Sequence, residues 1–261
     1  MSDLNRLFRK RLGMPENEKL TFEDLDSLLE KTATTFPFEN LNIISNRTST
    51  ITKEHLVDKI LLNGEGGLCY QLNPLLYLFL IENGFHARLI RGDVYNHDTN
   101  GWSNLGRTHV TILLQHEGHT YLVDTGFGGN LPLKPVPLNG ETTSSYNGEF
   151  RIRATDIEHG DYILEMKLSY KDTDWKLGYV FDTRRPLEDL SEANEVQQLV
   201  SQHKDSRFNK TPLITRLNKD GNITLTDTSF TQWIHGESKK EQIDRATFKE
   251  LAKQHFGFQD L

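Results

Sequence analysis

The chain has 261 residues, 36% of them hydrophobic and 26% charged, with 37 acidic against 30 basic side chains and a formal net charge of −7. This composition suits one large soluble domain, or two or three small ones sharing a core, and excludes a disordered chain. No Lys/Arg-rich stripe invites nucleic acid or an anionic membrane, the longest apolar run (Leu75–Ile81) is far too short to span a bilayer, and a single cysteine cannot form an internal disulfide, so a cytoplasmic protein is expected.

The N-terminal segment lacks the apolar core of a signal peptide and reads as a helix, with Leu4, Leu7, Phe8 and Leu12 on one face and Gly13 as its left-handed stop. Thr21 and Asp24 form a capping box, with Asp in place of Glu, ahead of Leu25, Leu28 and Leu29. Thr52 caps a third helix carrying Leu56, Val57, Ile60 and Leu61. A fourth has Leu72, Leu75, Leu76, Phe79 and Leu80 at helical spacing and ends at Asn83-Gly84. From Phe85 the pattern changes to short runs of β-branched and aromatic residues, HARLIRGDVY, THVTILLQ, TYLVDTG, FRIRAT, YILEMKLSY and WKLGYVFD, separated by Gly, Asn and Asp. Their spacing fits an antiparallel sheet or small barrel. After Arg185-Pro186 come a helical stretch (Leu187–His203), a hairpin, LITRLNKDGNITLTD, with Asp220-Gly221 as its turn, and a closing helix over Lys239–Phe256. Helices, then strands, then a mixed piece make an α+β fold rather than a doubly wound sheet.

The only cysteine lies in NGEGGLCYQLNPL, Asn63 to Leu75. Residue type alone leaves two readings, an inert small hydrophobe or a nucleophile. Gly64, Gly66 and Gly67 permit close approach of the backbone to a ligand. Pro74 is tolerated only in a helix's first turn, so the helix is expected to begin near Gln71, Asn73 or Pro74. Cys69 then sits just before a helix N-terminus, where the dipole and free N–H groups favour a thiolate.

A nucleophilic cysteine needs a base, and the base needs an orienting group. His109 starts one strand and Asp124 ends the next, with QHEGHT between them. A two-residue turn at Glu117-Gly118 sets His109 opposite Gly126, with Asp124 its diagonal neighbour on the same face. A turn at His116-Glu117 makes His109 and Asp124 direct partners. Both registers bring the Cβ atoms to roughly 5–8 Å, whereas a three-residue loop puts the side chains on opposite faces. No Cys/His cluster has metal-site spacing, and the GFGG segment lacks the lysine of a phosphate-binding loop.

With these residues in view the chain resembles the arylamine N-acetyltransferases of bacterial type. Their signature runs Arg-Gly-Gly-x-Cys, an aromatic residue, Glu or Gln, any residue, and Asn, and Gly66, Gly67, Cys69, Tyr70, Gln71 and Asn73 match it. FPFENLN (Phe36–Asn42), THV, VDTGFGG, YVFD and SRFNKTPLITRLNKDGNITLTD resemble further family segments in order, over essentially the whole chain. The resemblance implies a helical bundle over 1–84, a β-barrel over 85–186 and an α/β lid over 187–261, with a triad arranged as in cysteine proteases. It implies ping-pong transfer from acetyl-CoA, without a metal, to an arylamine or arylhydrazine. In this scheme Cys69 is the nucleophile, His109 the base, and Asp124 its orienting partner. Phe38 and Phe127 are candidates for the acceptor wall; Phe127 reads equally as a hairpin core residue. The same triad order also fits an amide-forming acyltransferase, a cysteine peptidase or a transglutaminase-like enzyme, and a non-catalytic binding protein could retain the fold. One position departs from the signature: its Arg, a support of the local structure, is Glu65 here. A free carboxylate beside the sulfur would oppose ionisation, so Glu65 is expected to pair with a cation elsewhere.

Overall fold

The computed structural model describes residues 2–169 and 171–259. Local capping chemistry opens it. The Ser2 side chain accepts from the Asn5 N–H and starts α1 (Asp3–Leu12), which ends at Gly13 in the left-handed region (φ +62°) and buries Leu4, Phe8 and Leu12. The Thr21–Asp24 capping box forms and leads through a short 3₁₀ turn into α2 (Leu25–Thr35). A two-residue strand β1 (Phe38–Glu39) and one turn of helix, α3 (Leu41–Ile44), follow. Thr52 caps α4 (Lys53–Leu56), whose continuation Val57–Leu62 is wound as a π-helix. Phe8 stacks on Phe79 with ring centroids 4.2 Å apart, tying α1 to α5 (Cys69–Glu82).

α5 begins earlier than the position of Pro74 suggests. Cys69 is its first residue, and Pro74 lies inside it. The proline leaves unmade only the bond its N–H would have given the Tyr70 carbonyl. Every residue from Gly66 to Leu76 is buried, so this segment is enclosed on all sides, and burial rather than propensity holds the helix together.

The strands make two antiparallel sheets. In the first, β2 (His86–Asn96) carries the β3 (Gly101–Trp102) hairpin and pairs with β4 (His109–His116). β5 (His119–Val123), β6 (Val136–Pro137), β7 (Thr143–Ser145), β8 (Gly148–Ile157), β9 (Gly160–Leu168) and β10 (Lys176–Pro186) complete the order β6-β5-β4-β2-β10-β9-β8-β7. Val136 of β6 shares one core with Phe150 and Ile152 of β8, so the two ends of the sheet curl towards each other into a nearly closed barrel. Along β4, Val110, Ile112 and Leu114 face the helices while Leu113 faces the barrel interior. His109, on the odd register, therefore starts on the barrel side. Tyr170, the end of the YILEMKLSY run, lies outside the described residues.

α6 (Ser191–Gln202) packs Ala193, Val196 and Val200 into the helical core. The second sheet runs β1-β11-β12-β13-β14, from β11 (Leu213–Asn218) and β12 (Gly221–Thr226) to β13 (Ser229–Ile234) and β14 (Glu237–Gln242). α7 (Arg245–Leu251), continued as a π-turn to Phe256, covers it with Phe248, Ala252 and Phe256. Two expectations are corrected here. Lys239–Gln242 is an edge strand, and the helix starts only after Asp244, whose side chain caps Thr247 N–H at 2.8 Å. Asn218 pairs with Gly221, so the turn is Lys219-Asp220 and Gly221 already belongs to β12. A Cβ there would lie 2.1 Å from the Trp233 carbonyl oxygen, which explains the glycine by close approach of a backbone.

Candidate active site

The β4–β5 turn settles the register. His116 pairs with His119 and Ile112 with Val123, leaving Glu117-Gly118 as a two-residue turn with φ +47° and +80°. Positive φ at both positions matches the twist of the flanking strands. The ladder ends at Val123, and the diagonal relation brings His109 Nε2 to 2.7 Å from Asp124 Oδ2. Cys69 Sγ lies 3.5 Å from the Thr108 carbonyl oxygen. It also interacts with His109, and because Nε2 of that ring is engaged by Asp124, Nδ1 is the nitrogen left for the sulfur. The structure thus brings together Cys69, His109 and Asp124, all but hidden at 8%, 3% and 1% exposure.

Asp124 is held by four donors. Asn73 Nδ2 and Gly126 N–H reach Oδ1, each at 2.8 Å. The Tyr179 hydroxyl reaches Oδ2 at 2.8 Å, beside His109. Asn73 also donates to the Val110 carbonyl (2.7 Å) and accepts from Thr125 N–H (2.9 Å), fastening α5 to both strands of the hairpin. These positioning groups escaped the sequence reading. Asn73 is one residue of the signature, and the signal for its role is a fully buried amide among the apolar residues of an enclosed helix. Tyr179 opens the YVFD segment, whose resemblance to the family marks the position without showing its role.

Burial would lower the basicity of His109. The charge and hydrogen bond of Asp124, with those of Cys69, outweigh it and raise the pKa to about 10. Asp124 is desolvated too, yet His109, Asn73 and Gly126 hold its carboxyl below the usual value. The Tyr179 phenol is pushed well up, by burial and then by the Asp124 charge, and stays a donor. His109 is raised, so the stability its pairing contributes is complete below about pH 6.5 and is lost as pH rises through about 10. Asp124 is lowered, so its share is present above its ordinary pKa and lost as pH falls through the depressed one. At neutral pH the histidine is therefore imidazolium, and its charge faces the Cys69 sulfur. Iodoacetamide should alkylate Cys69 at neutral pH at least about tenfold faster than it alkylates the same cysteine in His109→Ala, because that charge favours attack by the sulfur. Equal rates would contradict the pairing.

As first residue of α5, Cys69 precedes the first ladder bond, Leu72 N–H to Leu68 O at 2.9 Å. The N–H groups of Cys69 and Tyr70 thus have no helical acceptor and point their dipoles towards a developing anion. A cavity of about 790 Å³ opens beside Cys69, walled by Phe38, Val94, Leu105, Phe127 and Phe208. The Phe38 ring meets Phe208 at 5.6 Å, and the Phe127 ring meets His109 at 5.0 Å. Phe127 lines this cavity and also packs on the barrel core. The Glu65 carboxylate meets Lys59 (3.7 Å) and Asn42 (3.3 Å), so the cation expected for it is Lys59.

A cysteine at a helix N-terminus, facing a histidine that a carboxylate orients, is the arrangement of thiol-dependent hydrolases and acyltransferases. Comparison with known proteins selects among them. Residues 21–259 match the family model described as N-acetyltransferase. The uncharacterized acetyltransferase YvcN of Bacillus subtilis is 38% identical over 257 residues, covering 98% of each chain. Arylamine N-acetyltransferase C from Bacillus anthracis superposes with a TM-score of 0.93 at 38% identity, over 98% of this chain and 99% of that one. The (BACCR)NAT3 arylamine N-acetyltransferase from Bacillus cereus, described as having a unique Cys-His-Glu catalytic triad, does so with the same score at 41% identity, over 98% and 99%. The chain belongs to the arylamine N-acetyltransferase family. It is a transferase of the α+β class, and among the described residues no helix is long and apolar enough to cross a membrane.

Proposed function

We propose that this enzyme moves an acetyl group from acetyl-CoA to arylamines and arylhydrazines through a thioester on Cys69. The observation that carries the reading is the sulfur at the start of α5, interacting with a His109 that Asp124 holds at 2.7 Å, beside an aromatic-walled cavity. In the first half-reaction the Cys69 thiolate adds to the acetyl carbonyl, and the N–H groups of Cys69 and Tyr70 face the oxyanion. The carbon–sulfur bond to CoA breaks, and His109 gives its Nδ1 proton to the departing CoA sulfur. His109, now neutral, accepts a proton from the aromatic amine as its nitrogen adds to the thioester. Collapse releases the N-acetylamine and restores the thiolate–imidazolium pair. Phe38 and Phe127 offer apolar ring faces to the acceptor. A nucleophilic thiol must stay reduced, which favours the cytoplasm.

Mixing the protein with acetyl-CoA and weighing it intact tests this. One acetyl group should appear on Cys69 with release of free CoA, and an aromatic amine should remove it as the N-acetylated product. Peptide cleavage or transamidation without an acetyl adduct would assign the site to a peptidase or transglutaminase-like reaction. Absence of any covalent adduct would leave a binding protein.

A further inference from the structure

Lys59 is almost completely buried, at 3% exposure, in the π-wound continuation of α4. Its Nζ lies 2.6 Å from Glu39 Oε1, donates to the Gly66 carbonyl, and stands 3.7 Å from Glu65 Oε2. Glu39, 2% exposed, uses its other oxygen to accept from Leu41 N–H at 2.6 Å. A buried ion pair by itself says little about purpose, because desolvation offsets much of the attraction. What this one touches is informative. Gly66 and Gly67 run so close to the Pro37–Glu39 segment that a Cβ on Gly66 would fall 1.9 Å from the Pro37 carbonyl oxygen. Gly67 N–H donates to Pro37 O (3.2 Å), and Glu39 N–H donates to Gly67 O (3.1 Å). Lys59 closes this clamp, one contact on the Glu39 side chain and one on the Gly66 backbone. Two residues after Gly67 the chain enters α5, whose first residue is Cys69.

We infer that Lys59 is the positioning residue of the nucleophile loop, and that it holds by a charge exchange the place which the signature gives to Arg at position 65. This inference rests on the reading of Cys69 as the nucleophile. Lysine is the cation here, and Glu65 is its outer carboxylate, 32% exposed and shared with Asn42. The exchange has an unusual consequence. Restoring the family residue, Glu65→Arg, adds a second cation that competes with Lys59 for Glu39. The same arginine in a Lys59→Met background supplies the only cation of the clamp.

The test compares wild type, Lys59→Met, Glu65→Arg and the double variant by Cys69 alkylation across pH, single-turnover acetylation and thermal melting. Lys59→Met should slow both reactions at neutral pH about tenfold, because the loop loses its anchor and two carboxylates near it lose their shared cation. Glu65→Arg alone should slow them roughly threefold, with little change in melting. The double variant should return to within about twofold of wild type. Wild-type rates and pH profile in Glu65→Arg, or a double variant no better than Lys59→Met, overturn the inference. Should Lys59→Met fail to fold, recovery of folded, active protein in the double variant supports it. Should neither fold, Glu65→Arg alone decides. Alkylation needs no acetyl-CoA, so wild-type protein that takes up no acetyl group refutes the proposed reaction while the alkylation comparison still judges Lys59.

Discussion

Asp124→Asn should leave a folded protein whose turnover is lower by roughly a thousandfold or more. The substitution keeps the shape, so the loss comes from hydrogen-bond polarity. Two donors meet each carboxylate oxygen: Asn73 and Gly126 at Oδ1, His109 and Tyr179 at Oδ2. An amide has one acceptor and must aim its NH₂ at one of these pairs. The Gly126 backbone N–H cannot turn away, whereas Tyr179 can redirect its hydroxyl to Thr111 Oγ1, 3.3 Å distant. The NH₂ group therefore faces His109, whose Nε2 must become an acceptor, placing the proton on Nδ1 towards the sulfur. That is the wrong tautomer for a base. The electrostatics change in the same direction. Asp124 raises His109 against a burial effect that lowers it, so without the charge the ring is neutral at pH 7 and no imidazolium faces the sulfur. Steady-state turnover and Cys69 alkylation read the two consequences separately. Alkylation at neutral pH should slow towards the rate of a cysteine with no imidazolium beside it. Turnover above about a tenth of wild type in a folded variant would reject this role for Asp124.

The sequence made some of this site legible because local chemistry decided it. Thr21–Asp24, Thr52 and Gly13 cap as their residue types suggest. His109 and Asp124 share a face because a two-residue turn leaves no other parity, and period-two geometry carries that information along both strands. α5 starts earlier than Pro74 suggests because proline's aversion to helix interiors is only a propensity of about 3 kcal/mol. Burial of the whole Gly66–Leu76 segment outweighs it. β14, ESKKEQ, carries no apolar alternation; each of its residues is exposed, and it is held by pairing with β13, a partner that no local pattern announces. Gly221 was placed in a turn on the strength of its residue type, although its reason lies in the Trp233 carbonyl of a third strand. Tyr179 and Lys59 show the same limit at the site. Each is a polar side chain satisfied across a long stretch of sequence, and only the folded chain shows which group it meets.

Gly126→Ala should lower turnover by roughly a hundredfold, although it adds only a methyl group. Gly126 lies just past the end of the β5 ladder, two residues after Asp124, against the first turn of α5. A Cβ built there falls 2.7 Å from Cys69 Cα, 2.7 Å from Asn73 Nδ2 and 3.0 Å from Cys69 Cβ. Its φ lies outside the left-handed region, so the requirement is for space and alanine meets no backbone strain. The neighbours cannot give way cheaply. Cys69 Cα is main chain at the head of a buried helix, and Asn73 is tied to Val110, Asp124 and Thr125. Reaching an ordinary contact distance means moving the 124–126 segment away from α5 by much of an ångström. The same motion strains the Gly126 N–H bond to Asp124 Oδ1 and withdraws Asp124 from His109. Displacements of this size cost about two orders of magnitude when the reacting groups must stay in line. Loss of stability is expected as well, since overpacking a tight interior costs about 1–3 kcal/mol. Rate and melting temperature should therefore fall together in Gly126→Ala, with His109 and Asp124 chemically intact. The control is Gly128→Ala, whose added Cβ would find no atom closer than 3.7 Å, although its φ of +62° makes alanine mildly unfavourable there. Gly128→Ala should lose some stability and keep most of its turnover. Equal turnover in the two variants would show that the approach of Gly126 to Cys69 does not govern the site.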